Sequence, residues 1–245
     1  MDLGIAGKTA LVTGASKGLG LGVATALVAE GARVAISSRS PEAIEAAAAR
    51  IAATAFVHDA SDVDGTEAFV RRVEAELGPI DILVSNSGGP PPTRDPLAFT
   101  LDQWRQAYDL LLLGAIALIE QVLPGMRERK WGRVLSLSSS QVREPGPNLV
   151  LSTAHRAGLL AALKPIARFV AADGVTVNSL LPGLIATDRT KELGADTPER
   201  LRELPARRLG TVEEFAAAAA FLCSDPAGYI NGVALLVDGG LTRSV

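Results

Sequence analysis

The chain has 245 residues, and a net charge of −3 leaves no basic excess for binding nucleic acid. The single Cys223 excludes an internal disulfide framework. With no signal-peptide pattern at the N-terminus, we expect a cytoplasmic protein. The richest apolar run, AYDLLLLGAIALIE, is bounded by charges and shorter than a membrane span, so no membrane partner is expected.

Short β-branched segments alternate with longer Ala- and Leu-rich segments along the chain. Predicted strands cover residues 9–14, 33–38, 54–59, 80–85, 132–139, 175–183 and 233–240. Predicted helices cover residues 18–31, 41–51, 66–78, 101–129 and 149–174. This alternation predicts an α/β fold, with a single doubly wound Rossmann-type parallel sheet of about seven strands and helices on both faces. We expect one domain over 1–245, with a substrate-side lid near 187–210.

The first predicted turn, TGASKGLG (13–20), joins a strand to a helix. Its glycines let the backbone turn tightly and approach a pyrophosphate, which the free N–H groups of a helix start attract. In this strand–turn–helix context the cluster predicts dinucleotide binding rather than a simple tight turn. The candidate cofactor-binding residues here are Gly14, Ser16, Lys17, Gly18, Leu19 and Gly20.

The end of the second predicted strand selects between nucleotides. It carries Ser38 and Arg39 rather than a carboxylate. A guanidinium can bind a 2′-phosphate through two parallel hydrogen bonds, and Lys17 adds a second positive charge nearby. We therefore expect NADPH or NADP to be preferred, with NAD still possible; the alternative is that both cations are merely solvated.

Several further segments extend the pattern over nearly the whole chain: HDA with Asp59, DILVSNSGG, GRVLSLSSS, VNSLLPGLIATD and YINGVALLVDGG. Together with the glycine turn, they resemble the short-chain dehydrogenase/reductase family, and most closely its β-ketoacyl-carrier-protein reductase-like branch. The resemblance implies that Gly14, Gly18 and Gly20 line the phosphates and that Asp59 meets the adenine. It further implies cofactor contacts along the fourth strand and at the nicotinamide amide, made by Asn86, Gly88, Pro182, Gly183, Ile185 and Thr187.

The same resemblance implies a catalytic set of Asn, Ser, Tyr and Lys. Only the serine has a match, at Ser139, while Leu111, Ser152 and Arg156 occupy the other three positions. A serine hydroxyl is a far weaker acid than tyrosine, and an arginine does not donate a proton near neutral pH. Arg156 lies on the same helix face as Ser152 and can keep a positive charge near the nicotinamide ribose. The substitutions remove proton delivery and leave hydride delivery intact.

Three functions remain open at this stage. The first is a carbonyl reductase acting on a small-molecule carbonyl substrate, with Ser139, Ser152 and Arg156 as candidate catalytic residues. The second is a catalytically silent NADP(H)-binding sensor read by a partner, and the third is a non-redox enzyme that uses the same pocket. The loops GGPPPTRDP and SSSQVREPGPN, which are suited to a small ligand, favour the first.

Several other candidate residues have a structural interpretation as well as a functional one. His155 could be a replacement acid, although an interface histidine is the favoured interpretation. Tyr108 and Tyr229, the only tyrosines, are interpreted as packing residues. His58 has no His or Cys neighbours that would make a metal site, so no metal is expected.

The substrate-side loops carry Arg94, Arg143 and Glu144, which either select a charged substrate or are simply solvated. The long apolar helices around Leu111 and Leu159 present more apolar surface than one sheet face covers, which predicts association between subunits. The resemblance likewise implies a homotetramer.

Overall fold

The computed structural model describes residues 1–93 and 95–244, so Arg94 lies outside the described residues. One seven-stranded sheet has the order β3-β2-β1-β4-β5-β6-β7, and every neighbouring pair is parallel. The strands are β1 (Thr9–Thr13), β2 (Arg33–Ser38), β3 (Thr54–Val57), β4 (Ile82–Ser85), β5 (Gly132–Leu137), β6 (Val175–Pro182) and β7 (Ala234–Val237). The predicted doubly wound sheet is confirmed. Its strand order reverses between β1 and β4, where such sheets open a ligand crevice.

Helices cover both faces of the sheet. They are α1 (Gly18–Ala29), α2 (Pro41–Ile51), α3 (Thr66–Leu77), α4 (Leu101–Tyr108), α5 (Gly114–Glu128), α6 (Val150–Val170), α7 (Asp188–Glu192), α8 (Pro198–Glu203) and α9 (Val212–Leu222). Helices α1, α2 and α9 bury their apolar sides on one face, and α3, α5 and α6 bury theirs on the other. The sequence prediction did not include α7, α8 or α9. A capping box between Thr211 and Glu214 marks the start of α9 and is the signal that was overlooked.

A π-helical turn, Asp109–Leu113, separates α4 from α5 where a single straight helix was predicted. Leu111 is its buried residue and packs with Ala107 and Leu151. The next residue, Gly114, lies close to the backbone of Ala60: a Cβ added to Gly114 would be 2.0 Å from the carbonyl oxygen of Ala60. Turns of this kind are rare and are frequent at functional sites.

The helical run Leu101–Glu128 is 28 residues long, and by length and composition alone it could cross a membrane. The expectation that no apolar run reaches this length is therefore wrong. Its Leu118, Ile119 and Val122 are buried with α3 and the sheet in one core. Packing inside the fold accounts for part of the apolar composition of this run, since 39% of its most apolar window is buried.

Candidate functional site

The glycine turn after β1 is tied to the end of β4. Asn86 Nδ2 donates to the carbonyl oxygens of Thr13 (3.2 Å) and Gly14 (2.9 Å), and Thr13 Oγ1 donates to the Asn86 carbonyl at 2.7 Å. Gly14 has a φ of 58°, and a Cβ there would lie 2.7 Å from the Asn86 carbonyl oxygen. The predicted residues Gly14 and Asn86 therefore meet, and the side chain of Asn86 holds the turn in shape.

The start of α1 presents open backbone to the crevice. Gly18 has a φ of 60°, and a Cβ added to it would come no closer than 3.9 Å to another residue, at Thr187. Lys17, the exposed residue before α1, has extended backbone. A Cβ at Gly88 would meet nothing within 4 Å. Ser16 and Leu19 complete the turn. This open cradle beside a helix start fits the pyrophosphate of a dinucleotide.

The ends of β2 and β3 form the predicted adenosine side. Arg39 is exposed after β2, while Ser38 Oγ donates to the Ser40 carbonyl at 3.3 Å. The N–H and hydroxyl of Ser61 both donate to Asp59 Oδ1. Hydrogen bonds from Ser61, together with the smaller electrostatic effect of Arg39, lower the pKa of Asp59. The charge of Arg39 therefore acts on Asp59, which follows the neighbouring strand β3.

His58 packs against an aromatic ring. Its ring stacks on Phe69 with 4.1 Å between centroids. Burial lowers the pKa of His58 and so favours its neutral form. No group of three potential metal-binding side chains occurs within residues 1–93 and 95–244.

The four residues assigned to the nicotinamide amide lie at the end of β6. Pro182 is its last residue, and the Gly183 N–H donates to the Val237 carbonyl. The Ile185 side chain is buried, which leaves its backbone for any ligand contact. The Thr187 hydroxyl caps α7. Their backbones occupy the same edge of the sheet as the glycine turn.

Arg156 contacts one of the other two candidate catalytic residues, Ser152. Its Nε donates to Ser152 Oγ at 3.1 Å, its Nη1 to the Leu137 carbonyl at 2.7 Å, and its Nη2 to the Ser87 carbonyl at 3.4 Å. The guanidinium therefore spans the ends of β4 and β5. Ser139 follows β5, and its Oγ accepts the Gln141 N–H at 3.2 Å.

A cavity of about 10 Å³ lies beside Arg156, about the room of one water molecule. Ser85, Asn86 and Ser87 contribute polar atoms to its wall, while Leu111 with neighbouring aliphatic residues forms the dry side. Leu111 and Arg156 therefore line the same cavity.

Burial lowers the pKa of Arg156 to about 10, so the side chain remains a cation near neutral pH. Its hydrogen-bond acceptors are a hydroxyl and two carbonyls. Among the described residues, no carboxylate forms an ion pair with it. An uncompensated cation at the carboxyl ends of β4 and β5 favours any negative charge that arrives or develops there.

The aromatic candidates lie apart from this cluster. His155 Nδ1 is 2.8 Å from the Leu151 carbonyl, and its ring contacts Trp104 and Tyr108 of the same chain. Tyr108 is exposed rather than a core residue, and Tyr229 is fully exposed. The interpretation of Tyr229 as a packing residue within the chain is therefore wrong, whereas Tyr108 packs against His155 outside the core.

The substrate-side loops are fastened by contacts that the sequence did not indicate. Glu144 Oε1 accepts the N–H groups of Arg243 (2.6 Å) and Ser244 (2.7 Å), so this carboxylate anchors the C-terminal tail. Arg189 of α7, which the sequence reasoning missed, donates to the Pro90 carbonyl at 2.8 Å. Arg143 is exposed.

Comparisons with known proteins show which proteins this chain resembles. A family model described as enoyl-(acyl carrier protein) reductase matches residues 14–242. The 3-oxoacyl-[acyl-carrier-protein] reductase of Escherichia coli (strain K12) is 36% identical, with 96% of this chain and 97% of that protein covered.

Two solved structures have the same architecture. YwfH, an NADPH-dependent reductase involved in bacilysin biosynthesis, superposes with a TM-score of 0.92 at 29% identity, covering 97% of this chain and 99% of that one. L-sorbose reductase from Gluconobacter frateurii, solved with NADPH and L-sorbose, has a TM-score of 0.88 at 31% identity, with both chains fully covered.

Proposed function

The chain belongs to the short-chain dehydrogenase/reductase family, and on that basis we propose that it is an NADPH-dependent oxidoreductase. Its reaction is the reduction of a carbonyl, in a 3-oxoacyl-like compound or a small ketone, to an alcohol. The observation that carries this proposal is the position of Arg156, which joins the ends of β4 and β5 beside the dinucleotide crevice.

The cofactor site combines a neutral cradle with two cations. Gly14, Gly18 and Gly20 take the phosphates, Asp59 takes the adenine, and Lys17 and Arg39 select the 2′-phosphate. Asn86 and Gly88, together with the residues 182–187 at the end of β6, complete the contacts, and Ser16, Leu19, Ser38 and Arg156 border the site. When bound, NADPH supplies the hydride. NADH is a weaker alternative, because neither cation would then have a phosphate partner.

The catalytic chemistry of this chain departs from the family pattern at Leu111, Ser152 and Arg156. Ser139 donates to the carbonyl oxygen, and the fixed charge of Arg156 stabilises the oxyanion as it forms. Ser152 orients the guanidinium through the 3.1 Å hydrogen bond that it accepts from Nε. None of these groups is a ready acid, so the proton comes from water and turnover is slow.

Residues 187–210, which include α7 and α8, form the substrate-side lid in this proposal, within a single domain. Support comes from Arg189, whose bond to the Pro90 carbonyl ties the lid to the loop after β4.

We also propose a cytoplasmic homotetramer. Leu111 and Leu159 themselves are buried within the chain, but only 39% of the most apolar window of the helical run Leu101–Glu128 is buried, so the apolar surface of these helices supports it. Further support comes from the exposed Val233 and Leu235 at the sheet edge and from Phe169 on α6. A second subunit would cover these side chains. Sedimentation at micromolar concentration tests the assembly, and a monomer there would exclude it.

The catalytic proposal is tested by NADPH oxidation with acetoacetyl-CoA and a panel of small ketones. The wild type should oxidise NADPH slowly. Arg156→Gln should reduce kcat by about 10²–10³, the usual cost of removing an oxyanion partner. Arg168→Gln, an exposed change on the same helix, is the matched control. Binding of NADPH without oxidation by any carbonyl would instead support the sensor alternative.

A further inference from the structure

The C-terminal tail, residues 238–244, starts at the end of β7 and reaches the loop after β5. Glu144 Oε1 in that loop accepts the N–H groups of Arg243 and Ser244, at 2.6 and 2.7 Å. The strand order places β6 between β5 and β7. Neighbouring strands are about 4.8 Å apart, so the tail spans roughly 10 Å across the carboxyl end of β6. It therefore crosses the edge of the sheet at which doubly wound folds bind their ligands.

The course of the tail is fixed where it leaves β7. The two carboxylate oxygens of Asp238 accept N–H groups of the tail itself, from Gly240 at 3.0 Å and from Thr242 at 2.8 Å. Gly183, the first residue after β6, donates its N–H to the Val237 carbonyl at 3.0 Å. A Cβ added to Gly183 would lie 2.6 Å from Asp238 Cβ. The tail thus packs directly against the segment that is proposed to contact the nicotinamide.

The tail also lies against the proposed lid, residues 187–210. A Cβ added to Gly239 would be 2.9 Å from the Cβ of Ala206, and one added to Gly240 would be 3.6 Å from the Cβ of Pro205. Because neither glycine has a side chain, the backbone of the tail passes directly beside the lid.

Two further contacts complete a ring of segments. The Arg189 guanidinium of the lid donates to the Pro90 carbonyl in the loop after β4, at 2.8 Å. In that loop the Thr93 N–H donates to the Asn148 carbonyl, in the loop after β5, at 2.9 Å. The lid, the loop after β4, the loop after β5 and the tail are therefore joined in a closed ring. These segments follow the carboxyl ends of the four adjacent strands β4 to β7, and Arg156 lies at the ends of β4 and β5.

The contact at Glu144 is open to solvent. Glu144, Arg243 and Ser244 are all exposed. Water competes for exposed hydrogen bonds, so this contact can open and close while the sheet stays folded. When it opens, the end of the tail is released from the loop after β5 and the ring widens.

We infer that Glu144 determines which substrates fit inside this ring. By holding the tail to the loop after β5, its carboxylate keeps the ring closed and favours compact carbonyl compounds over bulky ones. Glu144 acts through the tail, so it is a positioning residue rather than a catalytic one. The inference deepens the proposed function, on which it rests for the class of substrate.

Binding of two ketones in the presence of NADP⁺ tests the inference without turnover, because NADP⁺ has no hydride to transfer. Ethyl benzoylacetate carries a phenyl ring where ethyl acetoacetate has a methyl group. A bulky ligand must open the contact at Glu144 in the wild type, and losing an exposed charged contact changes an affinity by up to about fivefold. In calorimetric titrations, Glu144→Ala should therefore bind ethyl benzoylacetate about fivefold more tightly than the wild type does. Its affinity for ethyl acetoacetate should stay within about twofold, since a compact ligand does not need the ring to open.

Three further variants separate the role of Glu144 from a general change in the protein. Deletion of residues 243–245 removes the other half of the contact and should reproduce the effect of Glu144→Ala. Glu144→Gln keeps an acceptor oxygen and should remain closer to the wild type. Glu45→Ala, at an exposed glutamate of α2, should change neither affinity. Equal gains for both ketones, no gain for ethyl benzoylacetate, or no binding of either ketone would overturn the inference.

Hydrogen exchange shows directly whether Glu144 holds the tail. The Arg243 and Ser244 amides should exchange about fivefold faster in Glu144→Ala than in the wild type. Equal exchange would overturn the inference. NADPH oxidation with the same ketones tests the proposed function separately. If the ketones are reduced, Glu144→Ala should lower KM for ethyl benzoylacetate and leave kcat unchanged. If neither ketone is reduced while the binding and exchange results hold, the proposed carbonyl reduction fails and the role of Glu144 in ligand selection stands.

Discussion

Replacing Arg39 by alanine tests how this chain distinguishes NADPH from NADH. The side chain is exposed just after β2, on the side of the crevice where it acts on Asp59. No carboxylate stands at Ser38, the last residue of β2, to bind the ribose hydroxyls of NADH instead. We propose that the guanidinium binds the 2′-phosphate, so its removal should affect only the phosphorylated nucleotide.

The expected magnitude follows from the exposure of the contact. A hydrogen bond to a charged group contributes about 1.5–3 kcal/mol, and solvent screening places this pair at the lower end. A loss of about 1.5 kcal/mol corresponds to roughly tenfold weaker NADPH binding. The NADH affinity should stay within about twofold. The difference should shrink at high salt, since exposed charges are screened.

Titration of both nucleotides by protein or nucleotide fluorescence, at low and high salt, measures these affinities. Arg50→Ala is the matched control, because Arg50 is an exposed arginine in the last turn of α2. Equal weakening of NADPH and NADH by Arg39→Ala would refute the assignment, as would an unchanged preference. In either case the selection would have to reside in Lys17 or elsewhere.

Three further predictions concern catalysis, packing and pH. Combining Ser152→Tyr and Arg156→Lys with Leu111→Asn should raise the single-turnover rate of ketone reduction by about 10²–10⁴. The effects of the three substitutions should not be additive, since the acid, the cation and the water act together. A triple variant slower than the wild type would point to an acid not yet identified. Gly114→Ala should lower stability by about 1–3 kcal/mol or more in urea unfolding, because the new Cβ meets the Ala60 carbonyl oxygen, whereas Gly125→Ala on the same helix meets only the flexible end of Arg129. Burial holds the pKa of His58 below its ordinary value of 6.5. As the pH falls below about 6.5 toward the folded-state pKa, the unfolded chain takes up the proton first, so the free energy of unfolding decreases. His58→Gln should flatten that part of the urea-midpoint profile, and an unchanged slope would exclude His58 as its source.

The sequence by itself determined the sheet and the cofactor side of the site. Strand and helix periods are local signals, and the turn from Thr13 to Gly20 carries its own chemistry, because glycines at a helix start are enough to predict a phosphate cradle. The lack of an acid at Ser38 was likewise visible in the printed residues. These features depend on neighbours in the chain, so one sequence is sufficient to predict them.

Only the tertiary structure decided what surrounds Arg156. Its partners Leu137 and Ser87 are 19 and 69 residues away in the chain, and Glu144 reaches a tail 99 residues further on. Leu111 and Leu159 are buried by packing with residues of other segments, which their own positions in the chain do not indicate. Contacts between distant segments form only when the sheet brings the ends of its strands together. No local sequence pattern therefore predicts which carbonyl groups the guanidinium of Arg156 contacts.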